Sequence, residues 1–485
     1  MIWEDFTSPA YKLETTNAAS SVMRNLYCET IEKGERKGKN RIVGIPGLKT
    51  FATLAGGPMR ALLSIDSGNR LFAIAGGTVY EVFANGTSQA LVGAIAMDSH
   101  PALMSTNGFQ IAISSGGYLY LANGGSPVGT VQPITFLAAD GGGAVQAGTL
   151  TFMDQYFIVD QINSKTIFIS NLAPNGNLWD PGDTAQKEGY SDNIARVYCT
   201  NEQLWLFGFD TTEVWQDTGA LFPFQRIQGA LMSIGCTAPY SVASYLGILF
   251  WFWNGSVYYS PSLTPQRISD YGVEQAIKSY GNVADAEGYC YTSGGHIFYV
   301  LTFPSVGRTW VYDLSLQAWH ERLFWQNGQW QQYRARVYAR AFNMDLVGDP
   351  LTGTIYQMDR LTYTDAGGVP LRRERVCPYI QEEEKMLRHN RLTVDVDTGV
   401  GLSVAADQPG YDPQMIMRYS DDRGKTWSNE RQASMGMLGM DKTRVIYRQN
   451  GSSRLGKAYE IVVSDPVPVS INGAYLELGT RETGR

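Results

Sequence analysis

The sequence predicts an all-β fold, a β-propeller of six or seven irregular blades followed by a C-terminal antiparallel β-sandwich. Three observations carry that expectation. The first is local: Ile248 to Trp253 is a run of apolar β-formers, Asn254-Gly255 follows, and a second β-rich run reaches Tyr259. Asn and Gly accept the positive φ angles of a type I′ turn, so two such runs joined by Asn-Gly read as a hairpin. The second is repetition, with comparable hairpins starting at Leu71, Gln110, Tyr156, Leu204, Ile248, Ile297 and Met344, at spacings of 39, 46, 48, 44, 49 and 47 residues. A repeat of about 40–50 residues carrying a short hairpin is the signature of propeller blades, because two strands cannot bury a face without neighbours. The third is a change of texture after about residue 365, where six short alternating strands read as a sandwich.

Taken in order, residues 1–45 read as an N-terminal arm or platform segment, with the charged stretch Glu32 to Asn40 near its end. Asn40 to Phe51 reads as extended, leading into the first blade. Residues 46–365 are expected to form the propeller, with Trp205, Trp251 and Phe298 buried between successive sheets. The Gly-rich piece Asp140 to Gly148 lacks a flanking βαβ pattern and reads as an inter-strand loop, not a phosphate cradle. Val273 to Tyr280 reads as a short helix capped by Ser269 or Asp270, and Gln381 to Arg388 as another. Residues 366–485 form the sandwich, with strands at Leu392–Asp397, Met415–Ser420, Val445–Arg448, Ala458–Val463, Val467–Ile471 and Ala474–Leu478.

Composition narrows the function. The chain has 485 residues and a net charge of −7, which argues against a dedicated nucleic-acid grip. The charge is uneven: 22 Lys+Arg against 30 Asp+Glu up to residue 370, and 17 against 16 beyond it. Only 18% of residues are charged, which fits a surface largely covered by partners. Cys28, Cys199, Cys236, Cys290 and Cys377 are odd in number and widely spaced, so neither a disulfide framework nor a zinc site is expected. Met1 to Thr16 does not read as a signal peptide, and no apolar run approaches the roughly 18 residues of a membrane span, so no membrane insertion is expected. The Asn-x-Ser/Thr matches at Asn85, Asn254 and Asn450 are therefore read as turns.

The sharpest motif is Ser420-Asp-Asp-Arg-Gly-Lys-Thr-Trp427, which fits the Asp-box. Its chemistry is structural: Asp422 can accept turn amides, Gly424 permits a positive φ, Ser420 and Thr426 complete the turn, and Trp427 is expected to plug the hairpin base. No catalytic or metal-binding residue is assigned, and no cofactor is implied. His100, His296, His320 and His389 include no pair at metal-ligand spacing, and no Gly-x-Ser-x-Gly elbow occurs. The competing reading is a sialidase-like or glycan-binding propeller, which would need an Asp-box in several blades; here one lies outside the array.

The order of these parts resembles the packaged-DNA stabilisation proteins, or tail hub (nozzle) proteins, of short-tailed bacteriophages. The resembling residues are Arg24 to Glu29 with Arg41 to Leu48, Asn193 to Trp215, Gly229 to Pro239, Val273 to Tyr280, and the C-terminal run Met417–Trp427, Asp465–Val469 and Gly473–Leu478. The resemblance implies a non-enzymatic virion protein of the tail, assembled in the host bacterial cytoplasm. It implies a homohexameric ring below a head-to-tail adaptor protein, touching a tail spike, fibre or needle protein. It also implies genomic DNA passing through the lumen without specific binding, and retention of that genome until ejection.

Overall fold

The computed structural model describes residues 3–11, 21–31, 40–123, 129–138, 143–382 and 385–480. Seven four-stranded antiparallel sheets follow one another in the chain, the innermost strands of neighbours packing side by side. The seven hairpins read from the sequence are the second and third strands of these seven sheets. One repeat is therefore one blade. In the fifth blade, Ile248–Trp253 pairs with Ser256–Ser260, closing at Trp253 opposite Ser256. Asn254 and Gly255 take φ +47° and +82°, the pair of positive angles a type I′ turn requires.

The blade count is seven because the chain returns to close the ring. Gly47–Thr53 is the outer strand of the last blade, in register with Thr354–Asp359 from Thr53 opposite Thr354 to Gly47 opposite Asp359. The segment Asn40 to Phe51 therefore does not enter the first blade, as its sequence position had indicated. Asn40–Gly44 joins the C-terminal body, and Gly47–Thr53 covers the edge of the seventh blade, where Thr354–Asp359 would otherwise present unpaired backbone groups.

Large side chains fill the wedges between blades. Trp205 and Trp251, 2% and 0% exposed, meet between the fourth and fifth blades with ring centroids 6.4 Å apart. Phe250 stacks on Tyr299 at 5.1 Å between the fifth and sixth, and Tyr289 on Tyr338 at 5.8 Å between the sixth and seventh. Phe298 is also fully buried. Each such burial is worth about 1.5–3 kcal/mol. The helix α1 (Tyr271–Lys278) follows the fifth blade; the Asp270 carboxylate caps it, accepting from Val273 N–H at 2.8 Å.

The sixth blade does not stop at four strands. Its outer strand, Ala318–Glu321, runs parallel to Val22–Arg24, and the sheet continues through Arg373–Val376, Ala458–Val463 and Gln414–Ser420 to Arg431–Ser434. A second sheet, Leu26–Thr30, Asn40–Gly44, Ser470–Thr480, Leu387–Val396 and Val445–Arg448, faces it. The shared core holds Met23, Leu26 and Ile42 with Leu392, Met415, Tyr459, Ile461 and Leu476. The segment 1–45, read as an arm, thus supplies three strands to the sandwich. Its charged part, 32–39, lies outside the described residues, as do 140–142 of the Gly-rich loop.

Two further local readings differ from the structure. Gln381 to Arg388 is not a helix: Gln381 and Glu382 have no regular structure, and Leu387 and Arg388 open the strand Leu387–Val396, with Leu387 buried in the sandwich. Positions 383 and 384 lie outside the described residues. Val467–Ile471 and Ala474–Leu478 are not two strands but one, Ser470–Thr480, starting only after Pro466 and Pro468. Proline has no N–H to give a ladder.

Between Val22–Arg24 and Leu26–Thr30 the chain switches sheets at Asn25, fully buried at φ +55°. Its amide nitrogen donates to the carbonyls of Leu323 and Arg372, both at 2.8 Å, and its amide oxygen accepts from Leu323 N–H at 3.0 Å. Asn25→Ala removes all three bonds and places a Cβ-bearing residue without a local partner in the left-handed region. Urea unfolding of the purified chain should show a loss of about 2–4 kcal/mol, with a loss at least as large for Asn25→Asp, which keeps the acceptor but sets a carboxylate oxygen against both carbonyls.

Candidate functional site

Propellers place chemistry at one end of the axis, so the residues there decide what this ring can do. His100 precedes the first strand of the second blade, and Tyr240 precedes that of the fifth. Those blades lie on opposite sides of a seven-membered ring, yet the two rings stack at 5.3 Å and 9°. The lead-in segments therefore meet over the axis. Arg336, ahead of the seventh blade, reaches the same region: it binds Glu287 through two bonds of 2.6 and 2.7 Å and donates to the Ser99 carbonyl at 2.6 Å.

Most of the other charged groups there are engaged internally, while the buried Arg196 of the fourth blade has Nε and Nη1 without a hydrogen-bond partner. Arg60, 1% exposed, bonds to the carbonyls of Gly76, Ala96 and His100, to the Ser115 hydroxyl and to Asp98. Burial pushes the Asp160 carboxyl up to about 6, against the bonds from the Thr149 hydroxyl and amide that hold it down. The same Thr149 hydroxyl accepts from Val197 N–H at 2.8 Å, tying the third blade to the fourth. A catalytic centre needs groups free to meet a substrate. Here most of the polar side chains brace one blade against another, and the axis is capped.

The histidines have separate structural partners. His296 Nδ1 lies 2.6 Å from Asp313, and His389 Nδ1 lies 2.9 Å from the Tyr459 hydroxyl. His320 Nε2 accepts from Arg322 Nε at 3.3 Å, and burial lowers its pKa well below the usual value.

The second notable region is the joint between propeller and sandwich. Arg24 bonds Glu321 of the sixth blade at 2.8 Å and Glu374 of the sandwich at 2.5 Å. The hairpin Leu323–Gln326 and Gln329–Gln332 folds over it, with Arg24 5.6 Å from the Trp330 ring and Arg372 4.4 Å from the Trp325 ring. In the sequence, Arg24 and Asn25 stand out only within the family resemblance. Nothing local marks them, since their partners lie some 300–350 residues away. A cleft of about 600 Å³ opens beside this joint, between Val22–Arg24, helix α1 and Trp310.

The Asp-box residues come together in the turn between Gln414–Ser420 and Arg431–Ser434. The Asp422 carboxylate accepts from Ser420 Oγ (2.6 Å), Thr426 Oγ1 (2.6 Å), Thr426 N–H (2.8 Å) and Lys425 N–H (2.9 Å). Gly424 has φ +91° and donates to Ser420 Oγ at 2.8 Å. Trp427 is only half-buried and does not seal the hairpin base; the Arg418 guanidinium lies 5.7 Å from its ring. The full cost of truncating a core aromatic is accordingly not expected there.

The Ser420 and Thr426 bonds hold the Asp422 carboxyl well below its ordinary pKa. A carboxylate depressed in the folded state stabilises above its unfolded pKa, and that stability is lost as pH falls through the folded value. The melting temperature of Asp422→Asn should therefore fall below that of the parent at neutral pH. The gap should narrow progressively below about pH 4, where the unfolded carboxyl begins to protonate.

Comparison with known proteins agrees with this architecture. Residues 10–363 match the family model described as Bacteriophage P22 Gp10, β-propeller, and residues 372–479 match Bacteriophage P22 Gp10, β-sandwich. No curated protein matches the chain. Among solved structures the chain is similar to a streptogramin B lyase (10% identity, TM-score 0.44, covering 64% of this chain and 96% of that one). It is also similar to virginiamycin B lyase from Staphylococcus aureus (8% identity, TM-score 0.44, covering 64% and 98%). At that level neither lyase's chemistry transfers to this chain. Two family matches that together cover nearly the whole chain, on a propeller with a capped axis and an attached sandwich, place it in the bacteriophage P22 Gp10 family of packaged-DNA stabilisation proteins.

Proposed function

We propose that this structural protein of the phage tail works as one subunit of a homohexameric ring, the tail hub or nozzle. The ring attaches below a head-to-tail adaptor, surrounds the path of the genome and retains the packaged DNA until ejection. One observation carries the reading: the propeller's own axis is capped by His100 on Tyr240 and by Arg336 on Ser99, so a DNA path must lie between copies. A head-to-tail ring needs two different contact patches on each subunit. The propeller and the sandwich, rigidly joined through one sheet, offer two such bodies.

The charge distribution fits a conduit that does not adhere to its cargo. Up to residue 370 each copy carries −8, which makes −48 over six copies. A basic bore would condense onto phosphate and make DNA exit strongly salt-dependent. An acidic or neutral bore lets the duplex slide, and retention then falls to a plug, supplied by a tail needle, spike or fibre protein docked on the ring. The basic residues of the sandwich are left to face those proteins. The glycan-cleaving alternative has no support at the axis, where the carboxylates Glu287 and Asp98 are paired with arginines.

Two measurements on the purified chain test this. Native mass spectrometry of the assembled form should give six copies, and a strictly monomeric chain under all assembly conditions contradicts the ring. Titration of that ring with duplex DNA should show weak binding between about 50 and 200 mM salt; tight binding that weakens steeply across that range contradicts the non-adhesive bore.

A further inference from the structure

We propose that a small monovalent anion of chloride size is bound between the sixth and seventh blades, held by Arg322 and the hydroxyls of Tyr289, Tyr291 and Tyr333. Arg322 follows the outer strand of the sixth blade, Tyr289 and Tyr291 lie on its innermost strand Glu287–Ser293, and Tyr333 stands just before the seventh. All four are deeply buried, at 0%, 8%, 1% and 0% exposure. The guanidinium lies 5.2 Å from the Tyr291 ring centre and 5.1 Å from that of Phe298. Arg322 approaches the Tyr291 and Tyr333 hydroxyls, but none of Arg322 Nη1, Nη2 and the three tyrosine oxygens completes a well-formed hydrogen bond.

Buried polar atoms without partners are rare and call for an unseen group. The balance of hydrogens says which kind. Nη1 and Nη2 together carry four N–H groups and the three phenols three O–H groups, while the only acceptors offered are the phenol oxygens themselves. Even if every phenol oxygen accepts one of these bonds, seven donors face three acceptor oxygens and most are left over. A water molecule does not correct the surplus, because it brings two donors with its two lone pairs. An anion brings acceptors alone.

The charge balance points the same way. The charged or polar groups acting most strongly on Arg322 are the three tyrosines, not a carboxylate. Burial raises the pKa of all three, that of Tyr291 to about 12, so they stay protonated and cannot serve as the counter-charge. His320, which accepts from Arg322 Nε, is held neutral by burial. The nearby His296 is paired with Asp313. A guanidinium in this setting costs free energy unless an anion neutralises it.

The test uses the full chain. Thermal and urea unfolding are followed while chloride replaces gluconate at constant ionic strength of about 0.3 M, at which general screening is unchanged. Binding to the folded state alone predicts a saturating stabilisation, the unfolding constant falling about a hundredfold at chloride one hundred times its dissociation constant. Arg322→Met should abolish the chloride dependence. Tyr333→Phe, a gentler change, should weaken it and serves if Arg322→Met does not fold. A crystal grown in bromide should give an anomalous peak within hydrogen-bond distance of Arg322 Nη and the tyrosine oxygens. Absence of that peak, density for water alone, or a chloride dependence that persists in Arg322→Met overturns the proposal.

Discussion

Asn25 is the residue through which the two halves of this molecule become one. Its side-chain amide satisfies the backbone at Leu323 on the propeller side and at Arg372 on the sandwich side, and its positive φ lets the chain leave one sheet of the sandwich for the other. Arg24 beside it bridges Glu321 and Glu374 in the same way. Because these groups are buried or nearly so, breaking the joint would strand polar atoms away from water, at about 1–3 kcal/mol for each. A single sheet of nine strands runs from the propeller's centre to the sandwich edge and joins the two bodies through backbone hydrogen bonds.

The same N-terminal segment closes the propeller. Within some thirty residues the chain contributes Val22–Arg24 to the long sheet, Leu26–Thr30 and Asn40–Gly44 to its partner, and Gly47–Thr53 to the seventh blade. Ring closure and domain attachment thus depend on one stretch. A subunit built this way suits mechanical service in a tail, since load on the sandwich passes into the blades through backbone hydrogen bonds and not through a flexible linker. The polar side chains at the axis are spent on bracing: Arg60 alone ties together residues of the first blade and the approach to the second.

What was legible in the sequence followed from local physics. Paired runs of apolar β-formers on either side of a short turn marked all seven hairpins, and Trp205, Trp251 and Phe298 were identifiable as wedge fillers from their place on those strands. The Asp270 cap was equally readable. What escaped was non-local. Gly47–Thr53 reads as a strand, but its partner lies about three hundred residues away, and no local signal says so. The joint at Arg24 and Asn25 and the stack of His100 on Tyr240 have the same character. At Gln381 to Arg388 a charged, helix-favouring composition indicated a helix, but burial of Leu387 in the sandwich sets the strand. At Trp427 the motif indicated a plug, but the turn projects from the sheet edge and leaves the indole half in solvent.

The proposed role, holding a packaged genome in place by structure alone, is measured directly by genome retention. Phage particles assembled without the chain should package DNA and then lose it once packaging ends, as scored by the fraction of nuclease-sensitive DNA. Purified chain carrying Glu287→Gln or Asp98→Asn, which removes the axial carboxylates an enzyme would need, should restore retention as well as the unaltered protein does, provided it remains folded. Particles that keep their DNA in the chain's absence, or folded variants that bind the particle yet fail to restore retention, would contradict the account.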